Sequence, residues 1–322
     1  MTENRVCSIL GIKSPIISAA MWGLTNAEMV AAVSENGGLG ILGPMPGQKF
    51  SGNLGEASEN MRTQIQQVRT LTDKPFGVNL IPDNSGQNSG IYSDLFEAYL
   101  NVMIAEKVPV ALVVGSLNNK AFFQKLTDHH IKIIYRPNTA DPRLIKPAEE
   151  LGVDLIIATG LDEGGGLPVN DWLAGTFSIV PRFVDEATVP VIAAGGITDV
   201  RTATAAVALG AEGLYVGTRF LASDESPIPT DIKQLLVQTN VEDLMYLPDP
   251  TSETVRAVKT PSLPDVIAQI QAGELKGTGA LLTGMLTGNL NTGMVIADNG
   301  ISLIKEIQPI QTIMQELTTP FS

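Results

Sequence analysis

Along the chain, short apolar runs rich in β-branched residues alternate with longer stretches in which apolar positions recur every three to four residues. Strands buried on both faces require runs of the first kind, and crossover helices supply the period between them. Eight runs stand out, at residues 15–19, 39–42, 76–80, 110–114, 132–136, 154–158, 190–194 and 213–216. Eight strands joined this way close a parallel (β/α)8 barrel, the fold class the pattern predicts.

Punctuation between the runs supports it. Thr25-Asn26-Ala27-Glu28 has capping-box spacing ahead of Met29, Val30 and Val33, and Asn36-Gly37-Gly38 ends that helix. Thr198-Asp199 can cap a helix carrying Val200, Ala203, Val207 and Leu209, with Gly210 as its stop. From about 221 to 278 the pattern loosens, with Pro227, Pro229, Pro248, Pro250, Pro261 and Pro264 interrupting short helical stretches. This segment reads as a small excursion or lid on a barrel formed by residues 1–220 and 279–322. From Ile301 to Leu317 helical spacing returns at Leu303, Ile304, Ile307, Ile310, Ile313 and Met314, as for a helix packed on the barrel wall.

Composition narrows the possible partners. The 322 residues are 44% hydrophobic, enough for one large core, and the 31 glycines and 20 prolines are spread along the chain rather than gathered in a linker. A net charge of −13 repels a nucleic-acid backbone. No run of 18 apolar residues occurs and MTENRVCSIL is not a secretory signal, so no membrane association and a cytoplasmic location are expected. Cys7 is the only cysteine, and His129 and His130 are the only histidines, which leaves no set of ligands for a Cys/His metal site.

In a barrel of this kind chemistry lies at the C-terminal ends of the strands. Two late loops there are shaped for a phosphate: Ala194-Gly195-Gly196-Ile197-Thr198 after strand seven and Val216-Gly217-Thr218-Arg219 after strand eight. Glycines let amide N–H groups approach an anion, a following helix start adds positive potential, and Thr218 brings a hydroxyl. A third glycine cluster, Gly164-Gly165-Gly166, follows strand six and reads equally as a ligand contact or a mobile loop. Asn79 ends strand three, where its amide could read a heterocycle or make a turn. Arg136 ends strand five, where it could meet a substrate carboxylate or cofactor, or form a salt bridge. Both histidines and Lys132 fall at the opposite end of strand five, which argues against a histidine-based triad or a Schiff-base lysine. A phosphate site with so few acid–base groups points to a bound cofactor that carries the difficult chemistry.

These residues resemble a known family, the flavin mononucleotide (FMN)-dependent barrel enzymes that include nitronate monooxygenase (2-nitropropane dioxygenase) and enoyl-acyl-carrier-protein reductase II. The resemblance rests on Pro15-Ile16-Ile17-Ser18-Ala19-Ala20-Met21, Gly37-Gly38-Leu39-Gly40, Val191-Ile192-Ala193-Ala194-Gly195-Gly196-Ile197, Leu209-Gly210-Ala211-Glu212-Gly213 and Gly217-Thr218-Arg219-Phe220. It covers most of residues 10–226, with a weaker echo near 293–307.

The resemblance implies that the backbone around Ala20, Met21 and Trp22 faces the isoalloxazine ring and that Asn79 hydrogen-bonds the flavin. It places Thr159 and Gly164 on the ring's far side, with the phosphate on Gly195, Gly196, Gly217 and Thr218. Arg136, Gly165, Tyr215 and Val216 complete the candidate cofactor set. Two departures stand out. Thr159 occupies a position where the family often has Gln or Glu. Gly166 occupies the place of the histidine assigned to catalysis, which leaves Asp162, Glu163, Tyr135 and Asp171 as candidate proton carriers. The implied activity is FMN-dependent oxidation of small nitronates, with NADH or NADPH as a candidate electron donor and a homodimer as the candidate assembly. The close alternative is an NAD(P)H-dependent reductase of enoyl thioesters or quinones, and the alternative of another class is a non-catalytic flavin-binding protein.

Overall fold

The structure is a computed structural model that describes residues 4–48, 53–82, 91–166, 174–248 and 254–322. Its centre is an eight-stranded parallel sheet: β1 (Ile16–Ser18), β2 (Gly40–Leu42), β3 (Phe76–Leu80), β4 (Val110–Val114), β5 (Lys132–Arg136), β6 (Leu155–Thr159), β7 (Val191–Ala194) and β8 (Gly213–Val216). Each strand pairs with its sequence neighbour, and β8 returns to β1 with Ile17 opposite Tyr215. The last gap, β1 to β2, is closed by the Ile17–Leu39 bridge and by Ser18 Oγ, which accepts the Ile41 N–H at 2.9 Å. Every strand therefore lies within a residue or so of its predicted run.

Alternation along the strands sorts the core into two layers. Val110, Leu112, Ile134, Leu155, Ile157 and Ile192 fill the barrel interior, while their neighbours Ala111, Ile133, Ile156 and Ala193 face the helices. Helix α1 (Arg5–Leu10) closes the N-terminal end, with Val6 and Leu10 against the interior cluster.

The crossovers are α2 (Ala27–Glu35), α3 (Leu54–Leu71), α4 (Ile91–Ala105), α5 (Lys120–Asp128), α6 (Ile145–Glu150), α7 (Thr176–Glu186) and α8 (Val200–Ala208). The cap of α2 is Asn26, whose side chain accepts the Met29 N–H; Thr25 is buried and accepts the Gly43 N–H instead. Asp199 caps α8 in a box with Thr202.

After β8 come α9 (Thr218–Leu221) and α10 (Thr230–Gln238), then an antiparallel hairpin, β9 (Leu244–Pro248) with β10 (Thr254–Val258), and then α11 (Leu263–Gln271) and α12 (Gly277–Thr287). The hairpin departs from the expectation of short helices alone. The final helix, α13 (Ile310–Thr318), takes the eighth wall position against α2 and α8. It begins nine residues later than the apolar spacing implied, because Pro309 sets its start while Gln308 is drawn into a bridge with Ser223. Among the described residues no helix is long and apolar enough to cross a membrane, and no cluster of three or more His, Cys, Asp or Glu could hold a metal ion.

Candidate active site

The parity that fills the interior also decides which side chains reach the mouth. Continuing the inward positions toward the C-terminal ends gives Asn79 on β3, Val114 on β4, Arg136 on β5, Thr159 on β6, Ala194 on β7 and Tyr215 on β8. All six line one cavity of about 570 Å³, a volume usual for a cofactor or substrate site. Ala20, Met21, Trp22, Gly164, Gly165, Gly195, Gly196, Gly217 and Thr218 line it too. Residues scattered over two hundred positions of sequence thus meet around one space.

The same parity removes two candidates from it. Tyr135 lies one residue out of phase, so its side chain enters the strand–helix layer, where its hydroxyl donates to the Gly115 carbonyl at 2.7 Å and burial pushes the phenol up. Val216 is likewise packed in the outer layer, and only its carbonyl takes part near the mouth, accepting the Ala19 N–H at 2.8 Å. Asp162 is a tether. Its carboxylate accepts the Thr176 N–H at 2.9 Å and the Asn299 side-chain amide at 3.1 Å. Burial opposes its charge, yet these hydrogen bonds outweigh burial and hold the carboxyl below its usual range. Asp171 lies outside the described residues. Of the candidate proton carriers among the described residues, Glu163 alone reaches the cavity, and it is ion-paired with Arg136. The salt bridge read as one alternative for Arg136 is thus real, though it sits in the cavity wall rather than on the surface, with both side chains about 15% exposed.

The glycine loops have the backbone expected of an anion cup. Gly195 and Gly196 take φ of +103° and +70°, the left-handed region that side chains avoid. A Cβ on Gly195 would lie 2.8 Å from Thr176 Oγ1 and 2.9 Å from the Gly160 carbonyl. The N–H groups of Gly196, Ile197, Gly217 and Thr218 donate to no acceptor among the described residues. One part of the sequence reading changes: the first turn of α8 is satisfied by its own Asp199, which accepts from the Arg201 and Thr202 N–H groups, so the cup is made by loop amides rather than by that helix end.

These observations test whether a phosphorylated flavin fits, and the residues fit. Four open amides line the cavity. In the same lining, Asn79 commits its NH2 to the Leu112 carbonyl at 3.0 Å, which leaves its side-chain oxygen as an acceptor, and Thr159 Oγ1 is buried without a partner among the described residues. A buried hydroxyl with no hydrogen bond costs free energy until a ligand supplies one. Tyr215 accepts the Ala20 N–H at 2.8 Å and braces the loop after β1; burial raises its phenol, with Arg136 pulling the other way.

Two residues that sequence reasoning missed complete the site. Arg256 on β10 is 1% exposed and reaches across to the loop after β6, donating to the carbonyls of Leu161 at 2.6 Å and of Glu163, with its guanidinium 4.8 Å from the Tyr246 ring. A cation inside the apolar run Val255-Arg256-Ala257-Val258 is the signal that could have revealed it. Asp298 lines the cavity, and its backbone N–H donates to Thr218 Oγ1 at 3.1 Å. Burial pushes its carboxyl up to about 7, against the Thr218 hydroxyl, the Gly300 backbone and the charge of Arg256. Nothing local in sequence marks it.

Fold and cavity together define a (β/α)8 barrel with a candidate site at its C-terminal mouth. A family model described as nitronate monooxygenase matches residues 3–320. A probable nitronate monooxygenase of Staphylococcus aureus is 31% identical over 273 residues, 75% of this chain and 74% of that protein. One from Staphylococcus saprophyticus is 31% identical over 290 residues, 80% of this chain and 79% of that protein. Among solved structures, FabK from Thermotoga maritima aligns with a TM-score of 0.85 at 31% identity, covering 100% of this chain and 96% of its own. A nitroalkane oxidase from Streptomyces ansochromogenes, at 23% identity and a TM-score of 0.78 over 98% and 97% of the two chains, shares the fold. The chain belongs to the nitronate monooxygenase family, and with it to the flavin-dependent oxidoreductases.

Proposed function

We propose that this protein binds FMN at the barrel mouth and oxidises small nitronates. The observation that carries the reading is the meeting, around one cavity, of four open loop amides and the unpartnered Thr159 hydroxyl. In this reading Gly195, Gly196, Gly217 and Thr218 hold the phosphate. The Asn79 oxygen and Thr159 hydroxyl meet the heterocycle, and Ala20, Met21 and Trp22 form the wall beside it. FMN, when bound, supplies the electron-transfer chemistry. The chain's own part is to orient it, exclude water and keep the site near neutral charge through the Arg136–Glu163 pair.

Glycine at 166 leaves that point of the wall without an acid or base, so proton transfer there is slow. The excursion at 221–278 acts as a lid over the cofactor, and NADH or NADPH is the candidate donor. A cytoplasmic homodimer belongs to the same proposal.

One observation favours a second reading. Leu247, Val255, Ile267, Ile270, Leu281 and Met294, all from the segment between β8 and α13, give the cavity an apolar wall that suits an extended acyl chain better than a small nitronate. On that reading the protein reduces enoyl thioesters with NADH or NADPH. Steady-state turnover with propyl nitronate and oxygen, set against an enoyl thioester with each nicotinamide, separates the two. Nitronate-dependent oxygen uptake supports the first. Nicotinamide oxidation that depends on the thioester supports the second, and turnover of neither leaves a flavin-binding protein without either activity.

A further inference from the structure

Asp298 is an unusual residue to find at an anion cup. The Cβ positions of the neighbouring glycines locate it. A Cβ on Gly164 would lie 2.7 Å from Asp298 N and 3.0 Å from Thr218 Oγ1, and one on Gly300 would lie 3.1 Å from Asp298 Oδ1 and 2.9 Å from the Gly196 carbonyl. Asp298 is therefore wedged among the loops that offer the open amides. It is 5% exposed, and its Oδ1 has no hydrogen-bond partner among the described residues.

Two charged groups act on its carboxyl. Arg256 on β10 favours ionisation, and Asp162 on the loop after β6 opposes it; Thr218 on α9 and Thr198 after β7 are neutral. Arg256 has its Nη atoms committed to the Leu161 and Glu163 carbonyls and to the Tyr246 hydroxyl, and its Nε–H finds no acceptor among the described residues, so it makes no ion pair with the carboxylate. A phosphate dianion brought into the same cup would face an ionised carboxylate in a poorly solvated space, where like charges repel strongly.

We infer that Asp298 gates the phosphate cup by its protonation state: it accepts a phosphate monoester as a neutral carboxylic acid, and one proton enters the protein with each FMN. The inference rests on the FMN reading of the cup and adds that cofactor retention is linked to pH through this one side chain. The position of the carboxyl, pushed up to about 7 chiefly by burial, puts the gate within the physiological range. At lower pH the cup is open to the anion. As pH rises the carboxylate forms, and FMN is bound less tightly while a flavin without phosphate is unaffected.

The test titrates flavin-stripped protein with FMN and, separately, with riboflavin between about pH 7 and pH 9. The phosphate, whose second pKa is about 6, is mostly dianionic over this range, so a change there belongs to the protein. The FMN Kd should rise about tenfold per pH unit once the carboxyl is ionised, while the riboflavin Kd changes by less than about twofold. Asp298→Asn should flatten the FMN profile and bind FMN more tightly than the unmodified protein at the alkaline end. Calorimetry of the unmodified protein in two buffers of different ionisation enthalpy, near the upper end of the range, should register close to one proton taken up per FMN. FMN and riboflavin profiles that run parallel, or an Asp298→Asn profile with the original slope, would overturn the inference and leave the FMN reading standing. Failure of FMN to bind at any pH would overturn both.

Discussion

Gly196→Val probes the cup directly, and a matched control separates its effect from backbone strain. Gly196 has φ +70°, and a Cβ there would lie 3.2 Å from Asp162 Cβ, between the loop after β6 and the Gly300 amide. Gly273, past the end of α11, has nearly the same backbone, φ +74°, with nothing within 4 Å of its Cβ position. A side chain forced into the left-handed region costs roughly 1–2 kcal/mol, so both Gly196→Val and Gly273→Val should lower the apo Tm by about 1.5–3 °C, at roughly 1.5 °C per kcal/mol for a chain of this size. They should part company when ligand is added. FMN at about 1,000 times its Kd stabilises the folded state by roughly 4 kcal/mol, a rise of roughly 6 °C on the same scale. Gly273→Val should show this rise in full. In Gly196→Val the branched methyls enter the space between the loops, and most of the rise should vanish. Far-ultraviolet circular dichroism melts with and without FMN measure both quantities. A folded Gly196→Val protein that keeps the full rise would refute the placement of the phosphate on this loop.

Thr159→Val removes a buried hydroxyl that has no partner, so apo stability should hold or rise slightly while FMN affinity drops by about tenfold, the value of one hydrogen bond; equal loss in both, by urea denaturation and fluorescence titration, would mean the hydroxyl serves the fold instead. Gly166→His should raise turnover of a nitronate or an enoyl thioester by about 10²-fold or more, with little change in FMN affinity, since a placed acid or base is worth that much; rates for the unmodified protein that already match a good enzyme would show that another residue moves the proton. Asp298 in the cavity wall and the tether Asp162 should act on apo stability with opposite signs. Asp298 holds its proton more tightly when folded, from the ordinary 3.8 up to about 7, so its ionisation lowers stability progressively as pH rises through that window, whereas Asp162 contributes stability above its unfolded pKa that is lost on acidification. Urea midpoints between about pH 5 and pH 8 should therefore fall less in Asp298→Asn than in the unmodified protein, and an identical fall would show that Asp298 is not the group responsible.

The strands were legible because a parallel strand with both faces covered is written as a short, mostly apolar run; the polar interruptions fall toward the run ends, at Ser18, Asn79, Lys132, Arg136 and Asp154. The glycine loop after β7 was legible for a similar reason: its conformation tolerates little besides glycine, as φ at Gly195 and Gly196 shows. The β9–β10 hairpin was not, because Pro248 and Pro250 read as breakers when Pro248 in fact ends an edge strand, a place that tolerates proline. The late start of α13 was hidden by apolar residues at Leu303, Ile304 and Ile307 that pack in non-helical backbone. Tyr135 was a readable error, since its parity with the buried Ile133 already pointed it away from the barrel axis. Asp298 had no such sign. It meets Thr218 across eighty residues of intervening chain, and only the folded excursion brings the two together.

The central claim is that the barrel mouth holds FMN by its phosphate, and the direct measurement is the absorption spectrum of the purified protein, followed by titration of stripped protein with FMN. The account predicts a yellow protein with bands near ~375 and ~450 nm, the chromophore's own property, and saturation at about one FMN per chain. A colourless protein that takes up no added FMN would contradict it.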